Sequence, residues 1–226
     1  MKAHKFRTFF FFIPLFMLTA SGRAFGPSAA ASLPDLDRRV EGLQTSNAVS
    51  GDQQTAVEQL RVRLPSVRVD FDPVTGGPKM ISAGDKFLSG TNGQGRAISA
   101  AVAAGFAGDP HRATKAFLRE HSRLFGYGPQ VLNQARVKRE FVTPGNGMKT
   151  VVWEQQVNGI PVFEAVLVSH TTARGELVNL SSQFVPEPEN AADQGASNRV
   201  ALVAAPDISA RRATTIAAQN IGEVID

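Results

Sequence analysis

Beyond the first 24 residues the chain keeps three histidines, His111, His121 and His170, and it has no cysteine. These are the residues with which a metal or acid–base site would start. His111 and His121 are ten positions apart, which is not ligand spacing on one helix face. Glu120-His121 is followed by Ser-Arg-Leu-Phe, so no second ligand follows in the manner of HExxH. A structural zinc site would need cysteine or well-placed carboxylates beside these histidines. No serine sits in a G-x-S-x-G elbow, and there is no thiol nucleophile. Asp70/Asp72 and Glu187/Glu189 sit beside turns and read as solvated pairs, although Asp70 and Asp72 would point to the same face of a strand and could work together. Gly90, Gly93 and Gly95 invite a phosphate-loop reading. That loop needs Lys-Ser/Thr opening a helix, whereas this chain offers Gly95-Arg96-Ala97, so a plain loop is expected. Asn179-Leu180-Ser181 is a glycosylation sequon only in a eukaryotic host. These residues give no positive case for an enzyme, a cofactor or a metal.

The elements around them are easier to read. Lys2, Lys5 and Arg7 precede the apolar run at 9–20, and small residues follow, so residues 1–24 read as a signal peptide for secretion or export to the periplasm. The run is too short to span a bilayer comfortably, and no membrane association is expected once it is removed. The whole chain has 24 basic and 20 acidic residues. Removing the leader removes four basic residues and no acidic ones, which leaves no net charge and no electrostatic case for nucleic acid.

Residues 25–66 read as a disordered or loosely helical arm, with a weak helical pattern near Val57, Leu60 and Leu64. Residues 67–82 read as a hairpin around Asp-Pro-Val-Thr-Gly-Gly-Pro. Residues 109–126 read as one amphipathic helix. Asp109 is its cap, Pro110 its first residue and Gly126 its stop, and Ala113, Ala116, Phe117, Leu124 and Phe125 line one face. Residues 149–157, 160–172 and 176–185 read as three strands of an antiparallel meander that the helix covers. Asn158-Gly159 joins the first two as a two-residue hairpin. Pro161 lies two positions past that turn. It is tolerable only where its missing donor faces an open edge or sits beside a bulge. It would then fix the register that brings Val162, Ala165 or Val166 to the helix. Residues 187–199 read as a linker, 200–203 as the start of a strand, and 209–221 as a helix capped by Asp207 or Ser209. The fold class is α+β, with a partial αβ segment at the C-terminus.

The ordered set Leu124-Phe125-Gly126, Gln156, Asn158-Gly159 and Ile160-Pro161-Val162-Phe163, followed by His170 and Gly175, resembles the FTP domain, the fungalysin/thermolysin propeptide module. On that resemblance 67–186 is the FTP-like domain and 200–226 looks like the beginning of a PepSY-like segment. Trp153-Glu154 stands where many thermolysin-type modules place an arginine, which favours the fungalysin side. The resemblance implies the pro-region of a secreted zinc metalloprotease that assists folding and inhibits a catalytic domain absent from these residues. The partner is that catalytic domain in cis or in trans. Zinc is expected only in that domain, and none in this chain. Gln156, Asn158, Gly159, Pro161, Val162 and Phe163 carry over as motif residues with a structural role. The alternative is a stand-alone secreted module that binds or inhibits a protease. An unrecognised catalytic site around Asp70, Asp72 and His170 ranks last.

Overall fold

A computed structural model describes residues 49–196 and 198–222. The chain divides into two units, one of residues 38–207 and one that includes 208–226. The larger unit is built first from α1 (Gly51–Arg63), which Ser50 and Gln53 close with a reciprocal capping box. Ala56, Val57, Leu60 and Leu64 are all buried in the core. The segment expected to be a disordered or loosely helical arm is therefore, over Gly51–Arg63, a regular helix seated in the folded body. Its apolar residues are few, but their 3–4 spacing suffices to bury one stripe.

Strands β1 (Val67–Phe71) and β2 (Pro78–Ala83) form the expected antiparallel hairpin. Asp72 closes its turn: its Oδ1 accepts from the Val74 and Thr75 amides at 2.8 and 2.9 Å. A two-rung ribbon follows, β3 (Ser89–Gly90) with β4 (Gly95–Arg96), and then the short helix α2 (Ala100–Ala104).

The long helix expected over 109–126 is two helices, α3 (Arg112–Glu120) and α4 (Ser122–Phe125). The break falls at His121, whose backbone leaves the helical region at φ −113° and ψ 28°. Asp109 caps the turn before α3, accepting from the His111 amide at 2.7 Å, so the helix starts two residues later than its sequence signals suggest. Gly126 does stop α4 in the left-handed region, at φ 77°. Ala116, Phe117, Leu124 and Phe125 are fully buried, as the face assignment requires.

After α5 (Val131–Gln134) come β5 (Arg136–Val142), β6 (Lys149–Val157), β7 (Ile160–Thr171) and β8 (Leu177–Ser182). The six longer strands make one antiparallel sheet in the order β1-β2-β8-β7-β6-β5. The initial hairpin thus adds to the far side of the meander, through β2 on β8. One face carries Ile81, Leu180, Leu167, Val151 and Trp153 into the same core as Phe117, Phe125 and Leu60. Helix α1 packs on α4 and β1, α3 on β8, and α5 on β6. This is α+β, with helices packed on an antiparallel sheet.

Downstream, the expected linker contains α6 (Pro188–Gly195), and α7 (Arg199–Ala204) stands where a strand was expected. Val200, Leu202 and Val203 suit a strand by type, but the alanines between and after them favour a helix. In the second unit α8 (Ala210–Asn220) begins at Ser209, whose Oγ accepts from the Arg212 amide at 3.2 Å. Residues 1–24, read as a signal peptide, and residues 25–48, read as part of the arm, lie outside the described residues. Among the described residues no helix is long and apolar enough to cross a membrane.

Candidate functional site

The hairpin of β6 and β7 carries Gln156, Asn158, Gly159, Pro161, Val162 and Phe163, the motif residues given a structural role from the sequence. Its turn is Asn158-Gly159, at φ 52° and 79°, between the paired residues Val157 and Ile160. Positive φ at both central positions gives the twist that suits a tight hairpin. In such a hairpin the flanking pair shares the ladder bonds, and the next pair, Gln156 with Pro161, points its backbone groups outward. On that outward side β8 pairs with β7 only from Leu167 onward. The missing donor of Pro161 therefore faces a stretch of β7 that no strand covers, as the edge reading requires.

A bulge adjoins it. Glu154 pairs with Val166 and Gln156 with Pro161, so the single residue Gln155 faces four residues, Val162 to Ala165. Glu164 sits in this bulge at φ 55°, a left-handed conformation that disfavours glutamate. Phe163 is 88% exposed and Ile160 55% exposed, Val162 is half-buried, and Ala165 is buried at 1%.

Gln155 fills the gap that the bulge leaves. Its side chain is buried; Nε2 donates to the Val185 carbonyl at 2.9 Å, and Oε1 accepts from the Val185 amide at 2.9 Å. The amide thus takes the place of a strand backbone and ties β6 to the chain beyond β8. Gln183 N to Val166 O, at 2.8 Å, continues the ladder on the other side of the bulge. Gln155 had no local signal in the sequence, since its neighbour Gln156 has the same side chain. Gln156 itself is half-buried at the hairpin base.

On β6 of the hairpin, Glu154 receives Arg136 at 2.6 Å and Lys138 at 2.8 Å from the neighbouring strand β5. The hydrogen bond from Lys138, then that from Arg136, holds its carboxyl below the ordinary carboxylate range. Sequence reasoning passed over β5 altogether, because Arg-Val-Lys-Arg-Glu-Phe-Val reads as a polar stretch and all seven residues are exposed.

The acid–base candidates are not assembled into a catalytic group. Asp70 stays exposed on β1, while Asp72 turns away into the loop; its carboxyl is held low, chiefly by the Thr75 amide. His170 contacts the Thr150 hydroxyl through Nδ1 at 2.9 Å. The His111 ring meets Trp153 edge-on at 5.1 Å. His121 is buried with Nε2 2.7 Å from the Ala97 carbonyl. Burial lowers the pKa of all three histidines. Glu187 is exposed and accepts from Asn190 at 2.8 Å. Among the described residues no three His, Asp or Glu side chains are grouped to hold a metal.

The glycine-rich loop does cradle an anion, but an internal one. Glu176 Oε1 accepts from the amides of Asn92 and Gly93 at 3.2 and 3.3 Å. The loop overhangs a cavity of about 640 Å³ with α3 and the β7–β8 turn. Asp109 there pairs with Lys115, Lys149 with Glu140 and Arg174 with Glu176, while Arg112 donates from Nε to the Ala103 carbonyl at 2.9 Å. Among its buried hydroxyls, Thr114 donates to Ser169 at 3.0 Å and Ser89 accepts from the Leu177 amide at 2.8 Å.

Residues 133–184 match the Fungalysin/Thermolysin Propeptide Motif. That span runs from the end of α5 through β5, β6, β7 and β8, so the match covers the meander with the bulged hairpin at its centre. This segment is therefore similar to a propeptide motif of the fungalysin/thermolysin kind. The match does not extend to the PepSY-like reading of 200–226. No curated protein and no solved structure matches the chain.

Proposed function

We propose that the chain is the pro-region of an exported zinc metalloprotease, assisting the folding of the catalytic domain and inhibiting it. The observation that carries this reading is the propeptide motif over residues 133–184. The physics supports it. A protease with a high kinetic barrier to folding gains from a template that binds its native-like surface, and such a template needs no catalytic residues. The leader at 1–24 fits export, and the PepSY-like segment at 200–226 fits a continuing pro-region.

The bulged hairpin is the feature of the motif best suited to contact. It presents Ile160 and Phe163 to solvent while Gln155 holds its base. Pro161 and the bulge remove ladder groups from this edge, so a partner would meet side chains here rather than add a strand. A refolding assay tests the folding role. A thermolysin- or fungalysin-type protease is unfolded and diluted with or without the chain. Greater recovered activity with the chain is the expected result; equal recovery at every ratio would remove the folding role.

A further inference from the structure

The residue at the joint between α3 and α4 is a buried histidine that the propeptide reading does not use. His121 is 8% exposed. Its Nε2 can only donate to the Ala97 carbonyl, which fixes the proton on Nε2 of a neutral ring. The ring lies 4.6 Å from that of Phe117. Ala97 directly follows the β3–β4 ribbon and is itself fully buried, with its amide bonded to Leu88 O at 3.0 Å. His121 therefore pins residues 85–97 to the helix pair.

The charges around the ring set up a competition. From α3, Glu120 is adjacent. From α1, Arg63 reaches the same region and pairs with Glu120. Glu120 also accepts from the Ser99 hydroxyl at 2.7 Å and the Ser99 amide at 3.3 Å. Burial opposes its charge, but the Ser99 and Arg63 bonds outweigh it and hold its carboxyl low. From the ribbon, Arg96 is exposed, and from α4 so is Arg123. The carboxylate beside the ring is thus already committed to α1 and to the cap of α2. A second proton on His121 would place a cation among Phe117 and its neighbours, with Glu120 as the counter-ion at hand.

We infer that His121 is an acid-sensitive pin. Protonation draws Glu120 away from Arg63 and Ser99 or expels the ring, and either event loosens residues 85–99 and the C-terminal end of α1 against the helix pair. Burial already disfavours the protonated ring. A group held below its ordinary value of 6.5 stabilises the fold fully above that pH, and the contribution is lost as pH falls below it. The inference concerns the chain alone and stands apart from any protease partner.

The test is a pH series from 8 to 5 on the purified chain. NMR follows each histidine ring, and hydrogen exchange follows residues 51–63 and 85–99. The expected result is a several-fold fall in protection in both segments, in step with the titration of His121. His121→Gln keeps a donor near the Nε2 position but cannot titrate, and it should abolish the step. His111→Gln and His170→Gln should retain it. An unchanged step in His121→Gln would overturn the inference. If that variant does not fold, the wild-type midpoints decide: opening that follows His111 or His170 instead of His121, or protonation of His121 with no opening, would overturn it.

Discussion

A single amide decides how the hairpin is built. Gln155 bonds both backbone groups of Val185 from a buried position. Gln155→Leu would remove both bonds and leave the two backbone groups of half-buried Val185 without these partners. A loss of about 2–4 kcal/mol is expected by urea denaturation. A loss below about 0.5 kcal/mol would show that the chain beyond β8 is not held there. Phe163 lies at the opposite extreme. Because it is 88% exposed, Phe163→Ala should change stability by less than about 0.5 kcal/mol. Phe117→Ala, in the core, should cost about 3–5 kcal/mol. Glu164 at φ 55° offers a test of opposite sign: Glu164→Gly relieves a left-handed conformation and should not destabilise the fold, with a gain of up to about 1 kcal/mol.

At the scale of elements, α1 is the sharpest test of where the fold begins. Leu60 is fully buried. Leu60→Ala is expected to cost about 2–5 kcal/mol in the same denaturation measurement, whereas a loose arm would leave the midpoint unmoved. The meander was legible because its signals are local: alternation, Asn158-Gly159, and Gly126 after an apolar face. What was not legible depends on partners distant in sequence. The break at His121 is fixed by Ala97, and the docking of α1 in part by α4, with Gln53 bonded to the Leu124 carbonyl 71 positions away. Strand β5 is an edge strand whose charges answer Glu154, so its sequence lacks the alternation of a half-buried strand. Helix α7 replaced an expected strand because three branched or leucine residues in a six-residue run do not outweigh its alanines. The bulge had one visible sign, the proline; its width and the role of Gln155 had none.

The whole molecule should respond to acid in two stages. Burial holds His111, His121 and His170 below the ordinary histidine value of 6.5. The unfolded chain therefore takes up protons first, and stability falls as pH drops below about 6.5. Hydrogen bonds hold Asp72 and Glu154 below their ordinary values of 3.8 and 4.5, so their contribution is present above those values and is lost in a second stage below them. Denaturation midpoints measured from pH 8 to pH 3 should decline in both windows; a midpoint that rises on acidification from pH 7 to pH 5.5 would contradict this. The most direct measurement at this scale concerns function. A secreted thermolysin- or fungalysin-type zinc protease is assayed for peptide cleavage over a range of concentrations of the folded chain, with and without added zinc. A pro-region gives saturable inhibition that added zinc does not reverse. Full protease activity at every concentration of a chain shown to be folded would contradict the assignment.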